Sequence, residues 1–512
     1  MRGYYSISGK GWDIYHHMFR ASQILNSGNL SSTDIYPIMH IWLSILHNFF
    51  PDFIVLTIVL SIVFFILYIL SLYILGKTIL GTKTGGLFVS IFGIPLIFSY
   101  GHYAFYPFLF ALFIIPLSLY SYQKIIQNPS QKTAFYICAI SLSFFIVFCH
   151  PMITFFLIIM FSVFVFYELL KRWKISSRLS NIVAINILAI VLLSFLIWLI
   201  QFKDLLETLQ GMASALIGAG THISIISYQM NTITTSKASI WLVIDYFIKV
   251  YGSIFLYFSL SLFFLLYIIY QYYQNKKIFE VELIYSLQFF VALFIGIALI
   301  TGYFVIFEPI RAAMYALIFA TIMCGLFFYR IWFSEISEKR KLVIITSITV
   351  IITFSCMLSI LAIYPSPWFS NPNSELTYGD KTGMDWILEY RNEKIPIASE
   401  DPDRIYPYST YFYESASTRK FQELNEYLRI IPSNFGYDTN RTIGDSLIYL
   451  PDENVYIITT EMMKLAPYAV SVDRRNRIKS FEDSDFIRLK SDPSVNLVYT
   501  NSEFGVWNID IR

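Results

Sequence analysis

Between residues 52 and 364 the sequence passes ten times through a long, nearly uncharged apolar run. Each run has the roughly 17 to 25 residues that a helix needs to cross a hydrocarbon layer of about 30 Å. No other feature constrains the chain so tightly. Inside a bilayer every backbone N–H and C=O must be satisfied within its own segment, so such runs fold as helices. The spans fall at 52–76, 84–100, 104–122, 133–149, 152–170, 181–201, 252–273, 283–306, 312–332 and 342–364. The stretch 133–170 is too long for a single crossing at about 1.5 Å per residue. Cys149-His150-Pro151 divides it, because proline interrupts a helix and disfavours helical backbone just before it. Charged residues make up 14% of the chain, against roughly 25% in soluble proteins.

The cations orient the spans. Alternate connections carry Lys77 and Lys83; Lys124 and Lys132; Lys171, Arg172, Lys174 and Arg178; Lys276 and Lys277; and Arg330, Lys339, Arg340 and Lys341. The intervening ones carry only Lys203, Lys237, Lys249 and Arg311. The alternation holds across all ten spans and places the first set in the cytoplasm. Residues 1–51 and the tail after 364 then face outward, as expected of a multi-pass protein of the cell membrane. An outward first loop with no span ahead of it implies a further transmembrane helix preceding this reading of the chain. Cys138, Cys149, Cys324 and Cys356 all fall within spans, which reads as buried thiols rather than a disulfide or thiolate-metal framework.

Three regions follow: an outward polar loop (1–51), a helical membrane body (52–364) and an outward domain (365–512). The boundary is the Pro/Ser/Asn-rich YPSPWFSNPNSE. Beyond it stand 23 acidic and 16 basic side chains. Helical stretches there (TGMDWILEYRNEK, FQELNEYLRII) alternate with strand-like ones (NVYIITT, VNLVYT, FGVWNID), which predicts an α+β fold. In the long connection 203–251, LLETLQGMASALIGA and SIWLVIDYFIKVYG read as interfacial helices, with Asp245 and Lys249 paired at i, i+4.

The ionisable residues gather at the outward ends of the spans: Asp13, His16, His17, Arg20, Asp34, Tyr36, His40, His102, His150, Glu308 and Arg311. A transporter coupled to protons or sodium places such groups deep inside its helices instead. A rim of them suits a reaction on a lipid-borne, phosphate-linked substrate. No HExxH, P-loop or GxGxxG is present, so peptide hydrolysis and use of a cytosolic nucleotide sugar find no support, and nothing points to nucleic acid.

The order of parts carries a resemblance. An early outward loop with an aspartate (GWDIYHHMFRASQILNSG) leads into a YP..H segment. The broken hairpin FCHPMITFF, a late FEPIRAAMY loop with an arginine opening a span, and an outward C-terminal domain follow. This resembles the GT-C superfamily of polytopic glycosyltransferases, the group that includes protein mannosyltransferases and oligosaccharyl transferases. The resemblance implies a GT-C-like helical fold whose first helix lies ahead of this sequence. It also implies transfer of a sugar from a polyprenyl- or dolichyl-phosphate donor to an extracytoplasmic glycan, lipid or protein.

Mapped onto this sequence, the family's first-loop aspartate is Asp13, as general base for the acceptor hydroxyl or as ligand, with His16, of a divalent Mg or Mn ion. Asp34 is the second catalytic candidate, although an STD turn more commonly uses its aspartate as an Asx cap. Arg311, just after Pro309 at a helix start, suits the departing lipid phosphate; a snorkelling arginine is the plainer alternative. Arg20, His17, His40, His102, His150 and Glu308 are expected substrate contacts. A flippase of lipid-linked glycans, or an envelope scaffold, is the competing reading.

Overall fold

The computed structural model describes residues 13–31, 34–97, 105–127, 129–175, 183–202, 206–207, 210, 240–274, 280–301, 309–334, 337–363, 376–392, 394–399, 431–448, 454–469 and 481–511. A helix stands at each of the ten expected spans: α3 (Phe53–Leu80), α4 (Lys83–Ile97), α5 (Pro107–Gln127), α6 (Lys132–Cys149), α7 (Pro151–Ile175), α8 (Val183–Leu199), α9 (Ile240–Tyr273), α10 (Glu280–Thr301), α11 (Pro309–Trp332) and α12 (Glu338–Ile363). Eight of these are long and apolar enough to cross a membrane; α4 and α8, of 15 and 17 residues, are shorter. The chain is therefore a multi-pass, helical membrane protein.

Local chemistry explains the helix ends. Asp52 caps α3 by accepting from the N–H groups of Ile54 and Val55, and Gly81 closes it at φ 70°, the left-handed conformation that glycine reaches without strain. His150 stands between α6 and α7 in extended backbone, so the hairpin breaks where Pro151 requires it.

The first region contains two helices, α1 (Asp13–Ser27) and α2 (Pro37–His47). One expectation needs correction. SIWLVIDYFIKVYG is not a separate interfacial helix; it continues into the next span as the 34-residue α9. Once nucleated, a helix extends by one hydrogen bond per residue, and no proline or glycine cap stops this one. The Asp245–Lys249 pair forms on it at 2.6 Å. LLETLQGMASALIGA lies almost wholly outside the described residues.

The bundle is tied at its other end, where Arg330 of α11 pairs with the buried Glu282 of α10 and lies over the Tyr267 ring. That end gathers Lys77, Lys124, Lys132, Lys339, Arg340 and Lys341. The starts of α5, α7 and α11 lie opposite it.

The tail is α+β, as expected. Helix α13 (Tyr378–Tyr390) precedes a four-stranded sheet of β1 (Ile397–Ser399), β2 (Asn454–Thr460), β3 (Val495–Thr500) and β4 (Phe504–Asp510), in the order β1-β2-β4-β3. β1 runs parallel to β2, and the other pairings are antiparallel. Period-two alternation sends Tyr456, Ile458, Phe504 and Val506 to one face with Met384 and Ile387 of α13. Val455, Ile457, Trp507 and Ile509 go to the other, against Phe435, Ile443 and Leu489. The first set belongs to the same apolar cluster as the helical bundle.

Helices α4 and α11 approach closely at Gly325, where an added Cβ would meet the Val89 Cα at 2.7 Å. At Gly296 the same atom would meet only the Ala312 Cβ, at 3.8 Å. Gly325→Ala must push backbone from backbone and is expected to destabilise the bundle by about 1–3 kcal/mol. Gly296→Ala should change little. Thermal unfolding of both variants in detergent checks the contrast.

Candidate functional site

The site begins with a turn between two short helices. Asp34, 5% exposed, precedes Pro37, whose fixed φ suits the first position of α2. Its Oδ1 accepts from the Tyr36 N–H at 2.9 Å, the Asx turn foreseen for an STD sequence. Its Oδ2 lies 2.6 Å from Nδ1 of His40, one turn into α2. His40 Nε2 in turn lies 2.8 Å from Nδ1 of His17 on α1. His17 and His40 are each 1% exposed. Ser44 pins the two helices together by donating to the Ala21 carbonyl at 2.8 Å, and Met18, Met39 and Leu43 fill the space between them.

Burial by itself would raise the Asp34 pKa. The hydrogen bond to His40, the Tyr36 N–H and the charge of Arg20 outweigh it, so the pKa lies below the ordinary carboxylate value. For His40 burial is the largest influence and lowers the pKa; the Asp34 hydrogen bond opposes it, and the balance remains below the ordinary histidine value. The pair is thus a carboxylate facing a neutral imidazole.

A second pole stands beside the first. Tyr36 contacts the His17 ring at 5.6 Å and stacks on His150 at 5.1 Å and 18°. His150 is 4% exposed and meets Phe108 edge to face at 5.3 Å. The Arg311 guanidinium lies 5.4 Å from the centroid of that same Phe108. The three residues come from three helix starts: Phe108 follows Pro107 of α5, His150 precedes Pro151 of α7, and Arg311 follows Pro309 of α11. Helix N-termini present partial positive charge, so cation and dipoles converge. His150 Nδ1 accepts the Met152 N–H at 3.2 Å, capping α7 and leaving the neutral ring's proton on Nε2 as a donor.

Of the residues singled out from sequence, the fold therefore unites Asp34, His17, His40, His150 and Arg311. His16 lies beside His17 with ring centroids 6.1 Å apart, half-buried. Arg20 donates to Gln23 at 3.2 Å. Asp13 is the first residue of α1, one turn before His17, but its side chain lies outside the described residues, as do His102 and Glu308. Tyr36, named in the rim from sequence, joins them; Phe108 joins with no role foreseen, since an aromatic at a helix start looks like any other membrane aromatic.

The donor chemistry does not fit a divalent ion at Asp34. A hard cation needs free carboxylate oxygens, and both oxygens there face N–H groups. Among the described residues no three of His, Cys, Asp or Glu form a metal-ligand group. No step below is routed through a metal.

No protein-family model matches the chain, and no curated protein matches its sequence. Among solved structures it is similar to the oligosaccharyltransferase of Archaeoglobus fulgidus. The apo crystal structure gives a TM-score of 0.49 at 11% identity, over 91% of this chain and 67% of that one. The form tethered through a disulfide to an acceptor peptide containing the NVT sequon gives 0.46 at 12% identity, over 91% and 66%. The chain spans about two thirds of that enzyme's length.

Both site shifts have the same consequence for pH. A group held below its unfolded pKa stabilises the fold above that unfolded value and ceases to as pH falls through the folded one. His40, ordinarily near 6.5, should lower the melting temperature first as pH drops from about 7 to 5. Asp34 should lower it again below about pH 4. His40→Gln, which does not titrate, is expected to flatten the first step in pH-dependent thermal melts and, because the His40 contact is the main influence holding the Asp34 pKa down, to shrink the second as well.

Proposed function

We propose that this chain is a membrane glycosyltransferase that moves a sugar from a polyprenyl-phosphate-type donor to an acceptor hydroxyl on the outer side of the membrane. The observation that carries this reading is the pairing of two poles through one ring: Tyr36 touches both His17 of the Asp34–His40–His17 line and His150, which shares Phe108 with Arg311. Displacement at an anomeric carbon needs two things at once. The attacking hydroxyl must lose its proton, and the departing phosphate must be stabilised as its negative charge grows.

Arg311 and the His150 Nε2–H serve the phosphate. A guanidinium offers a fork of donors that suits phosphate oxygens, and the α5, α7 and α11 starts add their dipoles. Proton removal falls to α1, where Asp13 and His17 stand one turn apart on one face; Asp13 also keeps its place as candidate ligand, with His16, of a divalent ion. The lysine-rich opposite end supports the outward placing of the site. Among the described residues, eight apolar helices long enough to span support a substrate that arrives through the lipid.

Purified protein in lipid nanodiscs is expected to release polyprenyl phosphate from a polyprenyl-phosphate hexose carrying a radiolabelled sugar. Arg311→Ala should raise the donor KM at least tenfold, Arg311→Lys should restore part of it, and Arg20→Ala should change it less than threefold. Wild-type protein that turns over no such donor overturns the reading. Equal, small effects of the two alanine variants would reassign Arg311 to headgroup anchoring.

A further inference from the structure

We infer that α5, α7 and α10 enclose a binding site for ordered water inside the membrane body, held between Tyr285, Gln288 and Gln123, and that this water links the three helices. The site lies toward the lysine-rich end, away from Asp34 and Arg311, and does not depend on the proposed transfer.

The inward face of α10 is polar, where a membrane helix is ordinarily apolar. Glu282, Tyr285, Ser286 and Gln288 are 4%, 0%, 1% and 1% exposed. Glu282 is matched by Arg330. Tyr285 Oη, Ser286 Oγ and Gln288 Oε1 meet no hydrogen-bond partner among the described residues.

The groups around them cannot turn to fill the need. Gln288 Nε2 donates to the Met160 carbonyl of α7 at 2.8 Å. A carbonyl only accepts, so the amide nitrogen stays on it and the amide oxygen must look elsewhere for a donor. Tyr122 of α5 stands near Tyr285, but its own hydrogen is spent on Glu168 of α7 at 2.6 Å. The Gln123 side chain faces the Tyr285 hydroxyl without closing a hydrogen bond of ordinary geometry. At 1.5 Å per residue, Gln288 stands about 12 Å from the start of α10. Hydrocarbon at that depth offers neither donor nor acceptor.

One bound water completes the set. It accepts the Tyr285 O–H, gives one hydrogen to Gln288 Oε1 and meets Gln123 with its remaining capacity. Three partners are the usual number for a buried water, and a polar contact too long to close directly is where one bridges. Met160 and Tyr122 are buried as well, so the site is closed and suits a ligand this small that both donates and accepts. The water ties α10 to α5, as the Gln288 bond to Met160 ties it to α7. These are the helices whose starts carry Phe108 and His150, so the link holds their other ends in place.

Hydroxyl radicals made from bound water by a synchrotron X-ray pulse oxidise the side chains beside it. In protein held in lipid nanodiscs, Tyr285 is expected to be oxidised at least tenfold faster than Tyr257, which is equally buried but donates its hydroxyl to the Phe92 carbonyl at 2.6 Å. Gln288→Leu removes the water's acceptor and should bring the Tyr285 rate to within threefold of the Tyr257 rate. Tyr285→Phe strands both the water and Gln288 Oε1 and should lower the melting temperature by about 2 °C. In a dry site the same change only deletes a hydroxyl that has no partner, and the melting temperature stays level or rises.

A wild-type Tyr285 oxidised within threefold of Tyr257 overturns the inference. So does a Tyr285 rate unchanged in Gln288→Leu, or a Tyr285→Phe variant as stable as wild type. Labelling of the wild type needs no variant, so it decides the matter even where Gln288→Leu fails to fold.

Discussion

A carboxylate buried at the mouth of an apolar bundle is stable only when its oxygens are saturated, and Asp34 shows what that requires. The bond from the Tyr36 N–H fixes the turn, and the bond from His40 fixes where α2 begins. His40 then needs a donor for its second nitrogen, and His17 supplies it from α1. Two short helices that already share buried apolar residues, Met18 with Met39 and Leu43, are thus also joined by one polar line. A desolvated charge without such partners would cost several kcal/mol or neutralise itself.

The second pole obeys the opposite electrostatic rule. The starts of α5, α7 and α11 each carry proline at the first helical position, where the missing N–H is no loss. They bring Phe108, His150 and Arg311 together. Partial positive charge concentrates there, while the Asp34 carboxylate is held by the Tyr36 N–H and His40. The Tyr36 ring stacks on His150 and meets His17 edge-on, so it touches both groups of residues. Reactions that make an anion while removing a proton need both kinds of group.

Much of the fold is legible in the primary structure. The spans follow from apolar length alone, and β2, β3 and β4 fall where NVYIITT, VNLVYT and FGVWNID alternate. The short β1 escapes notice because three residues carry no period. The start of α9 departs from the expected interfacial helix because helix continuity is cooperative and passes through an Asp245–Lys249 pair. For the site, Asp34, His17, His40, His150 and Arg311 announce themselves as polar residues at the edges of apolar runs. Phe108 does not, because nothing local distinguishes it from other membrane aromatics.

The sequence by itself determined that this chain builds a helical membrane body with an α+β tail, because bilayer thickness and strand alternation act within single segments. It also set the expectation that the candidate site residues gather near one set of helix ends. Only the tertiary structure decided which of them meet. Hydrogen-bond direction and ring contact act across segments far apart in the chain, and it is the packing of α1 on α2, and of α5 beside α7 and α11, that brings them within a few ångströms.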